Sequence, residues 1–191
     1  MGFSYKNICI QLLPVLRTAY EAKLLLVKWR HGPYKDRYTG MMKITHYEAD
    51  YPPTKKILAD IAKDLVPAKS NITLNSLDLV ALLSFPDPPA YDEYVFLGDV
   101  NAVSYYDSKE AGFPGLVGDN RCIWCDLKNI PYAQMPADDA LWYPKVLQDP
   151  PTKVIGNFRF RGPQMRHLDR YVMSEIAELR WVGDGTGFFS R

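Results

Sequence analysis

The sequence predicts an α+β sandwich, on three observations. Most of the chain divides into short apolar runs of strand length, bounded by clusters of Gly, Pro and Asp. Only residues 54–65 and 138–148 carry helical patterning, and they stand far apart. Hydrophobic residues make up 47% and charged residues 24%, ordinary proportions for a chain with a packed core. Many strands with two separated helices imply a sheet covered by helices.

Each element follows from local chemistry. Residues 5–13 and 22–30 read as strands around a turn at residues 17–20, and 31–36 as a Gly/Pro loop. Residues 41–47 make a further short strand. Pro52-Pro53 punctuates, and 54–65 follows as the clearest helix. Ile57, Ile61 and Leu65 repeat at i, i+4 and i+8, with Leu58 and Ala62 beside them, so one face is apolar, and Pro67 ends it. Residues 74–85 and 93–103 read as strands, and 104–120, with its Gly and Pro, as a long loop. Residues 122–127 form a strand. Residues 138–148 form the second helix, with Asp caps at its start and Pro144 in its first turns. Residues 153–161 and 168–181 close as a hairpin around Gly162-Pro163, and 183–191 reads as a mobile tail after a single domain over 1–182.

Charge and cysteine usage narrow the function. Lys plus Arg is 23 and Asp plus Glu is 22, a net charge of +1. This balance removes the clustered positive charge that drives binding to nucleic acid or anionic membranes. The start lacks a cleavable signal, Lys6 stands where a myristoylation motif wants Ser or Thr, and no apolar run reaches the ~20 residues of a membrane span. Three cysteines are an odd, sparse set, which suits a reducing, cytoplasmic setting. Cys122 and Cys125 form a C-x-x-C, but on a strand their sulfurs face opposite ways and no second pair exists for zinc. The expected partner is a small molecule; oligomeric state stays open.

Residues 129–144 read NIPYAQMPADDALWYP. This segment resembles the C-terminal signature of the Nudix hydrolase superfamily, in its branch of oxidised-purine nucleoside triphosphate diphosphatases, where I-P-F-x-x-M-W-P-D-D-x-x-W-x-P precedes a β-hairpin. Arg121, residues 124–127, residues 5–13 and the Arg37-Tyr38-Thr39-Gly40 run fit the same pattern more loosely. The resemblance implies a Nudix-like α/β/α sandwich with a mixed central sheet and two main helices. It departs at the Nudix box, G-x5-E-x7-R-E-U-x-E-E-x-G-U, whose glutamates bind Mg²⁺. Here Ala59 replaces the Arg, Asp60 the first Glu, Lys63 and Asp64 the paired glutamates, and Val66 the closing Gly. Met42-Lys43 replaces the upstream Gly-Gly. Asp60 and Asp64 lie at i, i+4, but Asp is one methylene short and Lys63 sets an ammonium among them. The expectation is no metal cofactor, with Asp60 and Asp64 as residual Mg²⁺ candidates.

What the resemblance leaves in the pocket is the Asp pair, at Asp138 and Asp139. Adjacent carboxyls repel and burial raises their pKa, so a pair can hold one proton and serve as acid and base together. The family's base-contacting Asn falls on Thr39 and its aromatic wall on Pro136, which weakens purine specificity. Trp29, Tyr38, Met41, Phe96 and Trp142 are candidate apolar lining, and Asn7 and Asp119 candidate polar contacts. The expected function is metal-independent acid–base chemistry on a small organic molecule by Asp138 and Asp139. One alternative is an inactive module that binds a nucleotide or a protein, the latter through Tyr105, Tyr106 and Phe113. The other is a weak diphosphatase using Asp60, Asp64 and Glu48.

Overall fold

The structure is a computed structural model, which describes residues 5–48, 53–67, 70–113, 116–117, 119–161 and 167–179. Its strands are β1 (Tyr5–Arg17), β2 (Ala22–Lys28), β3 (Tyr38–Thr39), β4 (Met41–Glu48), β5 (Leu74–Phe85), β6 (Tyr91–Val100), β7 (Leu116–Val117), β8 (Asn120–Asp126), β9 (Lys153–Arg161) and β10 (His167–Ile176). The helices are α1 (Lys55–Lys63), α2 (Ala102–Glu110) and α3 (Asp139–Val146).

The strands join one mixed sheet in the order β10-β9-β5-β6-β1-β2-β8-β7, with β3 on β2 and β4 on β1. β1 and β6 run parallel from Asn7↔Tyr91 to Val15↔Asp99, and β5 runs parallel to β9. On its other edge β1 is shared: Tyr5 to Leu12 pair with β4, and Val15 to Arg17 with β2.

Side-chain alternation divides the core between the two faces. Along β2, Leu24 and Leu26 join the cluster under α3, while Leu25 and Val27 join the cluster under α1 and α2. Along β1, Ile8, Ile10 and Leu12 face α1 and α2, and Leu13 and Val15 face α3. Cys122 and Cys125 fall on opposite faces, as alternation requires. Helices therefore cover both faces of a mixed sheet.

Several expectations are corrected. The described residues form three α-helices rather than two, because α2 occupies the first half of the segment read as a loop. Asn101 caps it by accepting from the Ser104 N–H at 3.1 Å. Its buried residues are Ser104, Tyr105 and Ser108, so its inner face shows no hydrophobic period in the sequence. The same cap ends β6 at Val100, short of Val103. On the apolar face of α1, Leu58 and Ala62 are 0% exposed and Ile61 and Leu65 pack partly buried beside them, but Ile57 departs from the expectation at 50% exposed. Asp138 precedes α3 but makes no capping bond, because its carboxylate is engaged elsewhere. Pro144 sits inside α3, in its second turn, at the cost of one backbone bond in a short helix. β10 ends at Ile176, and both the link 162–166 and the tail 183–191 lie outside the described residues. Among the described residues no helix is long and apolar enough to cross a membrane.

The α1 register gives a test by chemical denaturation. Leu58→Ala should lose about 2–5 kcal/mol, the usual cost of an aliphatic cavity. Ile57→Ala should stay within about 1 kcal/mol, because half of that side chain is already in water. Equal losses would contradict this helix orientation.

Candidate functional site

The site arises from polar residues placed on an otherwise apolar sheet face. Gln11 on β1 shares the α3-facing parity of Leu13 and Val15, and Glu93 on β6 shares that of Val95 and Leu97. β1 and β6 are hydrogen-bonded neighbours, so Gln11 and Glu93 point the same way side by side. The start of α3 lies over them and brings in Asp138 and Asp139. Together with Tyr34, Thr39, Met42, Phe85 and Pro136 they line a small, partly open cavity of about 10 Å³, room for about one water.

Three carboxyls are thus buried at one place. Glu93 is 4% exposed, Asp138 2% and Asp139 3%. Burial pushes Glu93 up to about 8, with a further push from Asp138. Burial raises Asp138 to about 6, held back by the Trp142 indole N–H, which donates to its Oδ2 at 3.0 Å. Asp139 is raised further from its ordinary value, first by burial and then by the charges of Asp138 and Glu93, against the pull of Arg37. Asp138 Oδ1 and Asp139 Oδ2 are buried with no hydrogen-bond partner among the described residues. Native interiors rarely leave such atoms unmatched, which sets these two oxygens apart.

A shell of hydrogen bonds fixes this arrangement. The Tyr143 hydroxyl accepts from the Gly40 N–H at 3.0 Å and from Gln11 Nε2 at 3.3 Å. With its amide turned over, Gln11 instead donates to Glu93 Oε1 at 3.2 Å and accepts from the Gly40 N–H at 3.3 Å. The turned orientation satisfies both ends of the amide, with its NH2 toward Glu93 and its oxygen toward the Gly40 N–H. Gly40 makes this proximity possible, since a Cβ there would lie 2.7 Å from the Leu12 carbonyl oxygen. Thr39 accepts from Trp29 Nε1 at 2.7 Å, and Tyr34 and Tyr91 share a hydroxyl bond of 2.6 Å.

Of the residues singled out from sequence, Asp138, Asp139 and Thr39 meet in the cavity. Trp142 and Trp29 stand behind it, holding Asp138 and Thr39 respectively. Met41 and Phe96 point to the opposite face, into the core under α1 and α2; the next residue, Met42, lines the cavity instead. Tyr38 packs against the α3-side core with Lys28 Nζ 5.4 Å from its ring centre. Asn7 donates to the Ala90 carbonyl at 3.2 Å outside the cavity, and Asp119 is exposed in the turn before β8. Sequence reading missed Gln11 and Glu93. Their signal was a polar residue at an inward-facing position of a strong apolar strand.

Asp60 and Asp64 are exposed on α1, with Asp60 3.9 Å from Lys63 Nζ. Glu48 ends β4. Among the described residues no three His, Cys, Asp or Glu side chains group as metal ligands. Mg²⁺ demands a near-octahedral set of oxygens, and two solvent-facing aspartates beside a lysine do not fit it.

No family model matches the chain. An oxidized purine nucleoside triphosphate hydrolase of Danio rerio is 27% identical over 130 residues, covering 66% of this chain and 74% of its own length. Among solved structures, the MutT protein of Bacillus halodurans superposes with a TM-score of 0.59 at 13% identity, over 87% of this chain and 97% of its own. The fold is that of the Nudix hydrolases. A Nudix hydrolase of Nitrosomonas europaea is a more distant match, with a TM-score of 0.45 and 15% identity over 70% of this chain and 65% of its own. In this chain Glu93 lines the same cavity as the Asp pair.

The buried carboxyls predict a pH dependence of stability. Between 4.5 and about 8, Glu93 keeps its proton in the folded chain and loses it in the unfolded one. Stability should therefore be greatest at the acid end and fall as pH rises to about 8, then level. The slope is up to about 1.4 kcal/mol per pH unit for each such group. Denaturation midpoints measured from pH 5 to 9 should fall in the parent and fall less in Glu93→Gln. A parent with no decline would contradict buried, cation-poor carboxyls.

Proposed function

We propose that the chain is a Nudix-fold enzyme that acts on a small organic molecule by metal-independent acid–base chemistry at Asp138 and Asp139. The observation that carries this reading is a pair of adjacent buried carboxyls, each with one oxygen left unpartnered at the cavity. Trp142 holds one oxygen of Asp138 and favours its ionised form, so Asp138 Oδ1 is the base. Burial and the charges of Asp138 and Glu93 raise Asp139 well above its ordinary value, so Asp139 is assigned as the acid. A titratable pair pushed apart in this way can remove a proton at one atom and deliver one at another. Isomerisation, cyclisation, dehydration and epoxide opening need no more than that. The shielded site favours these proton transfers by excluding bulk water.

A second reading is favoured by the zebrafish relative, whose name describes action on oxidized purine nucleoside triphosphates. In that reading the Asp pair binds a purine-like ring and no turnover follows, because no Mg²⁺ ligand set groups among the described residues.

A thermal-shift screen of phosphate-free heterocycles and nucleoside di- and triphosphates, each with and without Mg²⁺, separates these readings. The expected result is metal-indifferent stabilisation by phosphate-free compounds, with chemical conversion of at least one. Asp138→Asn or Asp139→Asn should slow that conversion about 10²–10⁴-fold, the usual weight of a general acid or base. Stabilisation by a nucleotide only when Mg²⁺ is present would overturn the proposal. Metal-indifferent nucleotide binding without conversion would favour the second reading.

A further inference from the structure

β10 ends the sheet. β9 pairs with one side of it, and no strand among the described residues pairs with the other. Alternate residues along its ten therefore turn their N–H and C=O groups to an open edge. Chains commonly shield such an edge by keeping it short or by placing proline or charge along it. Here a bulge interrupts the strand between Leu168 and Arg170, but its middle is apolar on both faces. Tyr171, 50% exposed, stacks on Phe158 with ring centres 6.0 Å apart, and Val172, 73% exposed, points the other way.

The charges of this edge are unevenly satisfied. Both acids of β10 are taken: Asp169 accepts from Arg161 Nε at 2.8 Å, and Glu175 from Lys145 Nζ at 2.7 Å. Arg170 is held less firmly. It lies directly across from Arg159 on β9, and like charges in that position repel. The ion pairs of the two arginines are long, 3.7 Å from Arg170 Nε to Asp169 Oδ2 and 3.8 Å from Arg159 Nη1 to Asp87 Oδ1, beyond hydrogen-bond reach. Arg161 and His167 form the next cross-strand row on the same face. What the edge presents to a partner is thus a strand with apolar side chains at its centre and under-matched guanidinium groups beside them.

We propose that the open edge of β10 docks an extended acidic segment of a partner protein, which adds a strand to the sheet and sets a carboxylate beside Arg159 and Arg170. Residues directly opposite in a strand pair share a face, so the partner residue across from Arg170 is acidic and the one across from Val172 is apolar. The residue between them meets Tyr171 on the other face and is apolar as well. Such a segment supplies backbone groups for the edge, apolar contacts for both faces and oxygens for the guanidinium groups. Nucleic acid offers the oxygens but no backbone ladder. A second copy of β10 offers a ladder but brings the same surplus of cations.

Fluorescence anisotropy on the full chain tests this with three labelled peptides of the length of β10. All are rich in valine and threonine, and they differ only in carrying glutamate, glutamine or lysine at the positions that fall opposite Arg170 and His167. At low salt the glutamate peptide should bind at least about 10-fold tighter than the glutamine peptide, with the advantage shrinking as salt rises, and the lysine peptide should not bind. Arg170→Gln, at a side chain 80% exposed, should keep the parent's denaturation midpoint. It should weaken the glutamate peptide about 3–5-fold, the upper weight of an exposed ion pair, and change the glutamine peptide less than about 2-fold. N-methylation of alternate residues in the glutamate peptide removes the donors of the ladder and should abolish binding. Undiminished binding after N-methylation, equal binding of the glutamate and glutamine peptides, or no binding by any peptide overturns the proposal. So does an oligodeoxythymidylate that binds tighter than the glutamate peptide and displaces it, which assigns the surface to nucleic acid. Self-association of the chain in sedimentation that Val172→Lys abolishes assigns it to a second copy and likewise overturns the proposal.

Discussion

Burying three carboxyls on the apolar side of a sheet is the constraint to which the rest of this structure answers. An ionised group taken out of water is costly unless it is paired, so such groups either hold protons or gather donors. Here they do both. Trp142 and the turned Gln11 supply donors, the Gly40 N–H holds Gln11, and burial raises Glu93 and Asp138 so that protonation offsets the remaining cost.

This arrangement explains features that otherwise look unrelated. Asp138 makes no cap on α3 because its carboxylate is turned to Trp142 four residues on. The first turn of α3 is therefore fixed by the site as much as by helix chemistry. Gly40 keeps the link between β3 and β4 close enough to β1 for its N–H to reach the Tyr143 hydroxyl. Each device sits on a different element, and all converge at one end of the α3 face.

Much of the fold was legible in the sequence because strands announce themselves through local alternation and α1 through its period and its Thr54 cap. The segment 129–144 carried the site, since the Asp pair and Trp142 lie within five residues of one another. Parity was the weak point. Met41 and Met42 are equally apolar, and only strand register decides that Met41 enters the core and Met42 the cavity. α2 was illegible for a different reason: its buried side uses Ser104 and Ser108, which no hydrophobic pattern reveals. Glu93 was overlooked because an acidic residue inside an apolar strand gains meaning only when its neighbour across the sheet is known.

The parallel pairing of β1 with β6 has a consequence for how the chain comes to possess a site at all. Gln11 and Glu93 are brought together only when strands that start at Tyr5 and Tyr91 align, with β2 to β5 and α1 lying between them in the chain. Such non-local closure sacrifices much chain entropy before any contact rewards it, and is intrinsically slow. Local units such as the β5–β6 hairpin and the β9–β10 pair require no such search. The acidic pocket is consequently a late product of folding, and a nascent chain that has formed its hairpins already has most of its secondary structure while still having no pocket.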